Sequence, residues 1–203
     1  MSAEERLQAI RAQVQQCCAC PLSAGRTLAV PGEGPASSRV MFIGEGPGYH
    51  EDQQGKPFVG QAGKFLDELL ASAGLSRAEV FITNVVKCRP PSNRDPEPEE
   101  LKACDAYLNA QIEALNPPVI VTLGRFSMAK FVSGGKISQI HGRPHPMDGR
   151  VVVTMYHPAA ALHRPSLKAD VEADFQRLRE LLDHQWEPEV YEAPPEAAQL
   201  SLF

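Results

Sequence analysis

Two kinds of hydrophobic spacing alternate along the chain. Short, nearly continuous apolar runs occur at 39–43, 80–84, 119–123 and 151–156. Runs of this length, bounded by turn formers, predict buried strands. Between them, apolar residues recur every three or four positions. Phe65, Leu66, Leu69 and Leu70 predict a helix over 62–73, stopped by Gly74. Leu101, Cys104, Leu108 and Leu115 predict a helix over 97–115, ended by Pro117-Pro118. A short helix over 125–132 closes at Gly134-Gly135, and a last helix covers 166–182. At the N-terminus, Ser2 and Glu5 have the spacing of a capping box, and Leu7, Ile10 and Val14 continue at helical spacing. Strands alternating with helices predict an α/β fold with a parallel sheet covered on both faces. Ligands of such sheets bind at the loops leaving the carboxyl ends of the strands. Those loops start at Gly44, Asn84, Gly124 and His157.

Composition sets few further limits. At 203 residues, 43% hydrophobic and 22% charged, the chain is ordinary for one soluble domain. No apolar run approaches the ~20 residues that span a membrane. The first six residues, MSAEER, lack the basic start and apolar core of a signal peptide, so a cytoplasmic protein without membrane contact is expected. The net charge of −5 argues against a nucleic-acid partner until its distribution is seen. Asp183, Glu187, Glu189, Glu192 and Glu196, with no Lys or Arg among them, account for all of it. The neutral remainder leaves room for a local basic face around the loops, where Lys56, Lys64, Arg89, Arg94, Arg164 and Lys168 fall. Residues 187–198, with three prolines and four glutamates, read as a flexible linker.

The chemistry concentrates in three loops and the cysteines. The stretch GEGPGYHEDQQGKPFVGQAG follows the first strand. It lacks the third glycine of a dinucleotide fingerprint, and Pro47 removes an amide donor, so a nucleotide cofactor is disfavoured. Asn84, at the end of the second strand, offers one acceptor and two donors to a planar edge, or serves as an Asx turn. His157, after the fourth strand, is suited to donating to a developing anion, or is structural. Phe58 is a stacking platform or core. Cys17 and Cys20 form a C-x-x-C pair, while Cys88 and Cys104 are separated by a 15-residue gap. Four thiolates suit either a tetrahedral zinc ion or an iron–sulfur cluster, and the spacing does not choose between them. Cys18 is the odd one out.

Taken together, GEGPG…ED…GKPFVG…AG, TNVVKCRPP, HPAAAL and the cysteine spacing closely resemble family 4 uracil-DNA glycosylases, over about residues 17–182. The resemblance implies a three-layer α/β/α sandwich around a four-stranded parallel sheet, in agreement with the pattern above. It implies a [4Fe-4S] cluster on Cys17, Cys20, Cys88 and Cys104. It places uracil, flipped from single- or double-stranded DNA, against Gly44, Glu45 and Gly46, with Phe58 stacking on the base. Asn84 then reads the uracil edge and His157 approaches the carbonyl beside the glycosidic bond. Relatives elsewhere in the superfamily position the attacking water with an Asp in the first loop. Here that place holds Gly46, so Glu45, Glu51 or a backbone carbonyl has to act. Glu51 or the loop at Gly48 would also exclude thymine. A related branch traps uracil on a His after the second strand. The loop 89–94 contains none, so turnover is expected.

A DNA face is expected at 158–164, entering the minor groove with Leu162 as the wedge and Arg164, Ser166 and Lys168 on phosphates; the alternative for each is an ordinary exposed surface residue. Residues 1–184 would form the glycosylase domain, a monomer working in base excision repair at the nucleoid. Residues 185–203 would form an acidic tail. Its end, Gln199-Leu200-Ser201-Leu202-Phe203, resembles the pentapeptide by which bacterial proteins dock on the replicative sliding clamp, anchored by Leu202 and Phe203. The alternatives are a metal-bound module that holds uracil without cleaving it, and an enzyme acting on free nucleotides.

Overall fold

A computed structural model describes residues 1–184. Gln199, Leu200, Leu202 and Phe203 lie outside the described residues. The chain opens with α1 (Ala3–Gln16) and the single-turn α2 (Leu22–Gly25). Then come β1 (Val40–Gly44), α3 (Tyr49–Gln54), α4 (Gln61–Ser72), β2 (Phe81–Asn84) and α5 (Pro98–Leu115). β3 (Val119–Leu123), α6 (Arg125–Phe131) and α7 (Ile137–Ile140) follow. The hairpin of β4 (Pro144–Met147) and β5 (Arg150–Met155) leads to α8 (Pro158–His163) and α9 (Lys168–Asp183).

The sheet order is β2-β1-β3-β5-β4. The first four strands are parallel, as the pattern predicted, and β4 adds an antiparallel edge. That fifth strand is invisible to pattern reading because it is PHPM. Proline cannot donate to a ladder and is tolerated at an edge, where one side of the strand needs no partner. Phe42 sits opposite Ile82 and Val121, and Val121 opposite Val153. Side chains alternate along a strand, so these four share one face. They pack against Leu66, Leu69 and Leu70 of α4 and Val171, Phe175 and Leu178 of α9. Phe42 and Phe175 lie nearly parallel, with centroids 6.1 Å apart. Met41, Phe81, Ile120 and Val152 face the other way, against Leu108, Ile112 and Leu115 of α5. α1 covers α5 through Ile10 and Val14. The result is the expected α/β/α sandwich.

Helix ends follow local chemistry. The capping box of α1 is present, with Glu5 N–H donating to Ser2 Oγ at 3.2 Å and Ser2 N–H to Glu5 Oε2 at 2.7 Å. α5 stops at Asn116 in the left-handed conformation (φ 44°). Among the described residues, no helix is long and apolar enough to cross a membrane. β1 lies between β2 and β3, so the winding reverses there and a crevice opens at the carboxyl ends.

Candidate active site

The loops after β1, β2 and β5 enclose a cleft of about 390 Å³. Glu45, Gly46, Gly48, Glu51, Phe58, Asn84 and His157 line it, so the residues singled out from distant parts of the chain do meet. Gly44 lies beneath them. A Cβ on Gly44 would overlap Asn84 Oδ1 and come within 2.6 Å of Phe58 Cζ, so only glycine lets both side chains reach the floor.

Asn84 is 1% exposed, and its Oδ1 is buried with no hydrogen-bond partner. Such an acceptor costs about 1–3 kcal/mol unless something satisfies it. His157 caps α8, its Nδ1 accepting from Ala159 N–H at 3.1 Å. An accepting Nδ1 puts the ring proton on Nε2. Burial pushes the His157 pKa down to about 4, against a smaller upward pull from Glu51. The imidazole is therefore neutral near pH 7 and presents an N–H donor.

The two carboxylates differ. Both Glu51 oxygens are occupied: Oε1 accepts from Val59 N–H at 2.8 Å and Gly60 N–H at 2.9 Å, and Oε2 from Gly48 N–H at 3.1 Å. Glu51 thus ties the two ends of the glycine-rich loop together. Glu45 is half-buried, and its carboxylate has no hydrogen bond to any described residue. Burial raises its pKa, helped by Asp95 and opposed by Arg125. Its backbone carbonyl is taken by Val86 N–H at 3.1 Å.

Phe58 belongs to the buried core. It is 5% exposed, and its ring stacks on that of His157 with centroids 5.3 Å apart and planes 22° apart. Its backbone is left-handed (φ 51°), an unfavourable state for a non-glycine residue. Arg77 holds it there, donating Nη1 to the Phe58 carbonyl at 3.0 Å and Nη2 to the Pro57 carbonyl. Arg77 also pairs with Glu33 at 2.8 Å and Asp67 at 3.1 Å. Sequence reading did not find Arg77, which lies outside every motif. Nor did it place Asn93 on the cleft wall, or Arg94, which is bound to the nearly buried Glu100 at 2.6 Å.

The cysteines gather at the far end of the 84–88 turn. Cys88 and Cys104 are buried together with Leu22 and Val86, and Cys20 packs against them. The neighbouring Cys17 raises the pKa of Tyr107. Arg26 Nη1 donates to Cys88 Sγ at 3.1 Å. Burial pushes the Cys104 thiol up to about 11. Among the described residues, no three His, Cys, Asp or Glu side chains are spaced to hold a single metal ion. Cys18 is exposed.

The segment expected to enter the minor groove, 158–164, is largely helical. It forms α8, with Leu162 45% exposed at its outer end. Arg164, Ser166 and Lys168 are all exposed beyond it. His50 is exposed, and Arg89 covers the Tyr49 ring at 5.2 Å.

The family model for the uracil DNA glycosylase superfamily matches residues 31–183. A type-4 uracil-DNA glycosylase from Archaeoglobus fulgidus is 46% identical over 187 residues, covering 87% of this chain and 94% of that protein. One from Thermotoga maritima is 48% identical over 166 residues, covering 80% and 86%. A type-5 enzyme from Thermus thermophilus is 34% identical over 149 residues, covering 63% and 68%. With a matching superfamily model, long type-4 matches and the converging cleft, the chain belongs to the type-4 branch of the uracil-DNA glycosylase superfamily.

Proposed function

We propose that this chain flips uracil out of single- or double-stranded DNA and hydrolyses its N-glycosidic bond, leaving an abasic site for base excision repair. The observation that carries the reading is the unpartnered Asn84 Oδ1 lining the same cleft as the neutral His157 donor. Uracil presents an N3–H donor next to its O4 acceptor, and one carboxamide satisfies both. Cytosine reverses that pattern and leaves buried groups unpaired, so it is refused. The stacked Phe58 ring supports the base, and stacking offsets part of the few kcal/mol that flipping costs.

As the bond breaks, the sugar gains oxocarbenium character and the base leaves as an anion. His157 Nε2–H donates to the O2 of that anion, worth roughly 3–4 kcal/mol if it acts like an oxyanion-hole donor. Water then adds to the sugar. Glu45 is the group best placed to orient it and accept its proton, since it lines the cleft while the Glu51 carboxylate already accepts from three amides. Glu51 instead shapes the wall that excludes the thymine methyl. Leu162 holds the gap in the duplex, and Arg164, Ser166 and Lys168 meet phosphates beside it.

Cys17, Cys20, Cys88 and Cys104 would hold a [4Fe-4S] cluster. The donor set fits it: Cys20 packs against the buried Cys88 and Cys104, Cys17 of the same C-x-x-C supplies a fourth thiolate, and Arg26 donates to Cys88 Sγ. When bound, the cluster cross-links the segments at 17–20, 88 and 104. Gln199, Leu200, Leu202 and Phe203 would dock on the sliding clamp and bring a monomeric enzyme to newly made DNA at the nucleoid, a reading that rests on the pentapeptide alone.

The first experiment incubates the holoprotein with a labelled oligonucleotide containing one deoxyuridine, and with its thymine and cytosine counterparts, followed by alkali. Cleavage at uracil alone, abolished by Asn84→Ala and sharply reduced by His157→Ala, is the expected result. Tight uracil-dependent binding without cleavage would make the protein a sensor and overturn the proposal.

A further inference from the structure

Lys87 belongs to the turn between the base-reading strand and the cysteine site, yet nothing above uses it. It is 1% exposed. Its Nζ donates to Thr83 Oγ1 at 2.6 Å, the Asn84 carbonyl at 2.8 Å and Gln111 Oε1 at 2.7 Å. In its ammonium form, its three N–H donors meet three acceptors. Gln111, on α5, passes the link on, donating Nε2–H to the Pro31 carbonyl at 2.6 Å. One side chain thus joins the end of β2, the middle of α5 and the segment entering β1.

The consequence concerns Asn84. Its Oδ1 has no partner, so no hydrogen bond among the described residues steers that oxygen. The depth and direction of the carboxamide have to come from the backbone. Asn84 is the last residue of β2, paired with Gly44, and Val85 N–H donates to the Gly44 carbonyl at 3.0 Å. One more bond, Val86 N–H to the Glu45 carbonyl at 3.1 Å, continues past that rung, but the Asn84 carbonyl itself is held by the Lys87 ammonium. We infer that Lys87 is a positioning residue for uracil recognition, closing the turn so that the Asn84 amide edge is presented at the right depth in the cleft. The inference rests on the assignment of Asn84 to the base edge.

The test is a double-variant cycle on the cluster-containing protein: wild type, Asn84→Ala, Lys87→Met and both together. Single-turnover uracil release, KM, iron content and melting temperature are measured for each. Lys87→Met is expected to slow release on the order of 100-fold with KM changed by less than about 3-fold, the signature of a misplaced group. In the Asn84→Ala background the same substitution is expected to cost less than about 3-fold more, because the group it positions is already gone. Additive losses would reduce Lys87 to general stability and overturn the inference, as would wild-type rates in Lys87→Met. A wild-type rate in Asn84→Ala would overturn the assignment of Asn84 itself, and this inference with it. Where Lys87→Met fails to accumulate as folded protein, Gln111→Met replaces it in the cycle. Coupling with Asn84→Ala then supports the inference, and additivity overturns it.

Discussion

Asn84 carries a cost in the free protein, an acceptor sealed from water and left without a donor. Asn84→Ala is therefore expected to move folding stability by no more than about 1 kcal/mol, because the lost packing is offset by removal of the unsatisfied oxygen. Uracil release should nevertheless fall on the order of 100-fold or more. Calorimetry and the alkali assay on one preparation check both. His157 has the opposite logic, in that its value lies in staying neutral. Its pKa drops from 6.5 to about 4, so between those values the unfolded chain binds a proton that the native state refuses. Its contribution to stability is complete above pH 6.5 and is lost as pH falls toward 4. The rate of release should show no inflection at 6.5. The acid limb is instead assigned to Glu45, whose raised pKa puts it above the usual carboxylate range. Glu45→Gln should lower the rate and abolish that limb, measured as a pH–rate profile from 4 to 8.

At the scale of elements, the site is a set of strand ends held by short connections. In the loop from β1 to α4, Glu51 joins Gly48 to Val59 and Gly60, and Arg77 holds the adjoining Phe58 carbonyl. Gly63, in the first turn of α4, leaves room for the Phe58 carbonyl, which a Cβ there would overlap. Gly63→Ala should cost about 1–3 kcal/mol by forcing the loop off the helix. It should also weaken uracil binding by tilting the Phe58 ring, read by denaturant melts and product inhibition. Leu66, fully buried between α4 and the sheet, tests the layer itself. Leu66→Ala should cost about 2–5 kcal/mol and leave the relative rates on uracil and cytosine unchanged. Elements such as α3 and α8 were absent from the sequence reading for a physical reason. Each is only 6 residues long, too short for periodicity to register, and depends on its cap: Glu51 closing on Gly48 N–H, or His157 on Ala159 N–H.

For the whole molecule, the four cysteines lie in segments far apart in sequence, which the proposed cluster would clasp together. Cys17 and Cys20 follow α1, Cys88 ends the turn after β2, and Cys104 is on α5. Removing the iron of the proposed cluster with a chelator under mild oxidation should lower the melting temperature by roughly 10 °C, corresponding to about 3 kcal/mol for a chain of this size. Because the turn 84–88 leads straight from Asn84 to Cys88, activity should fall along with stability. Iron content, visible absorbance and melting followed together check the coupling.

The layers, the four parallel strands and the meeting of glycine loop, Asn84 and His157 were legible in the chain. Buried strands and amphipathic helices impose their periods wherever they occur, and a parallel sheet brings its carboxyl ends to one side. The edge strand β4 was not, because its prolines suit an edge only where a neighbour is already in place. The rest was set by three-dimensional neighbours. Glu45 and Glu51 are the same residue type six positions apart, yet one is spent on backbone amides and the other is free in the cleft. Phe58, Arg77 and Lys87 acquire their parts from contacts across the fold, which composition and spacing do not encode.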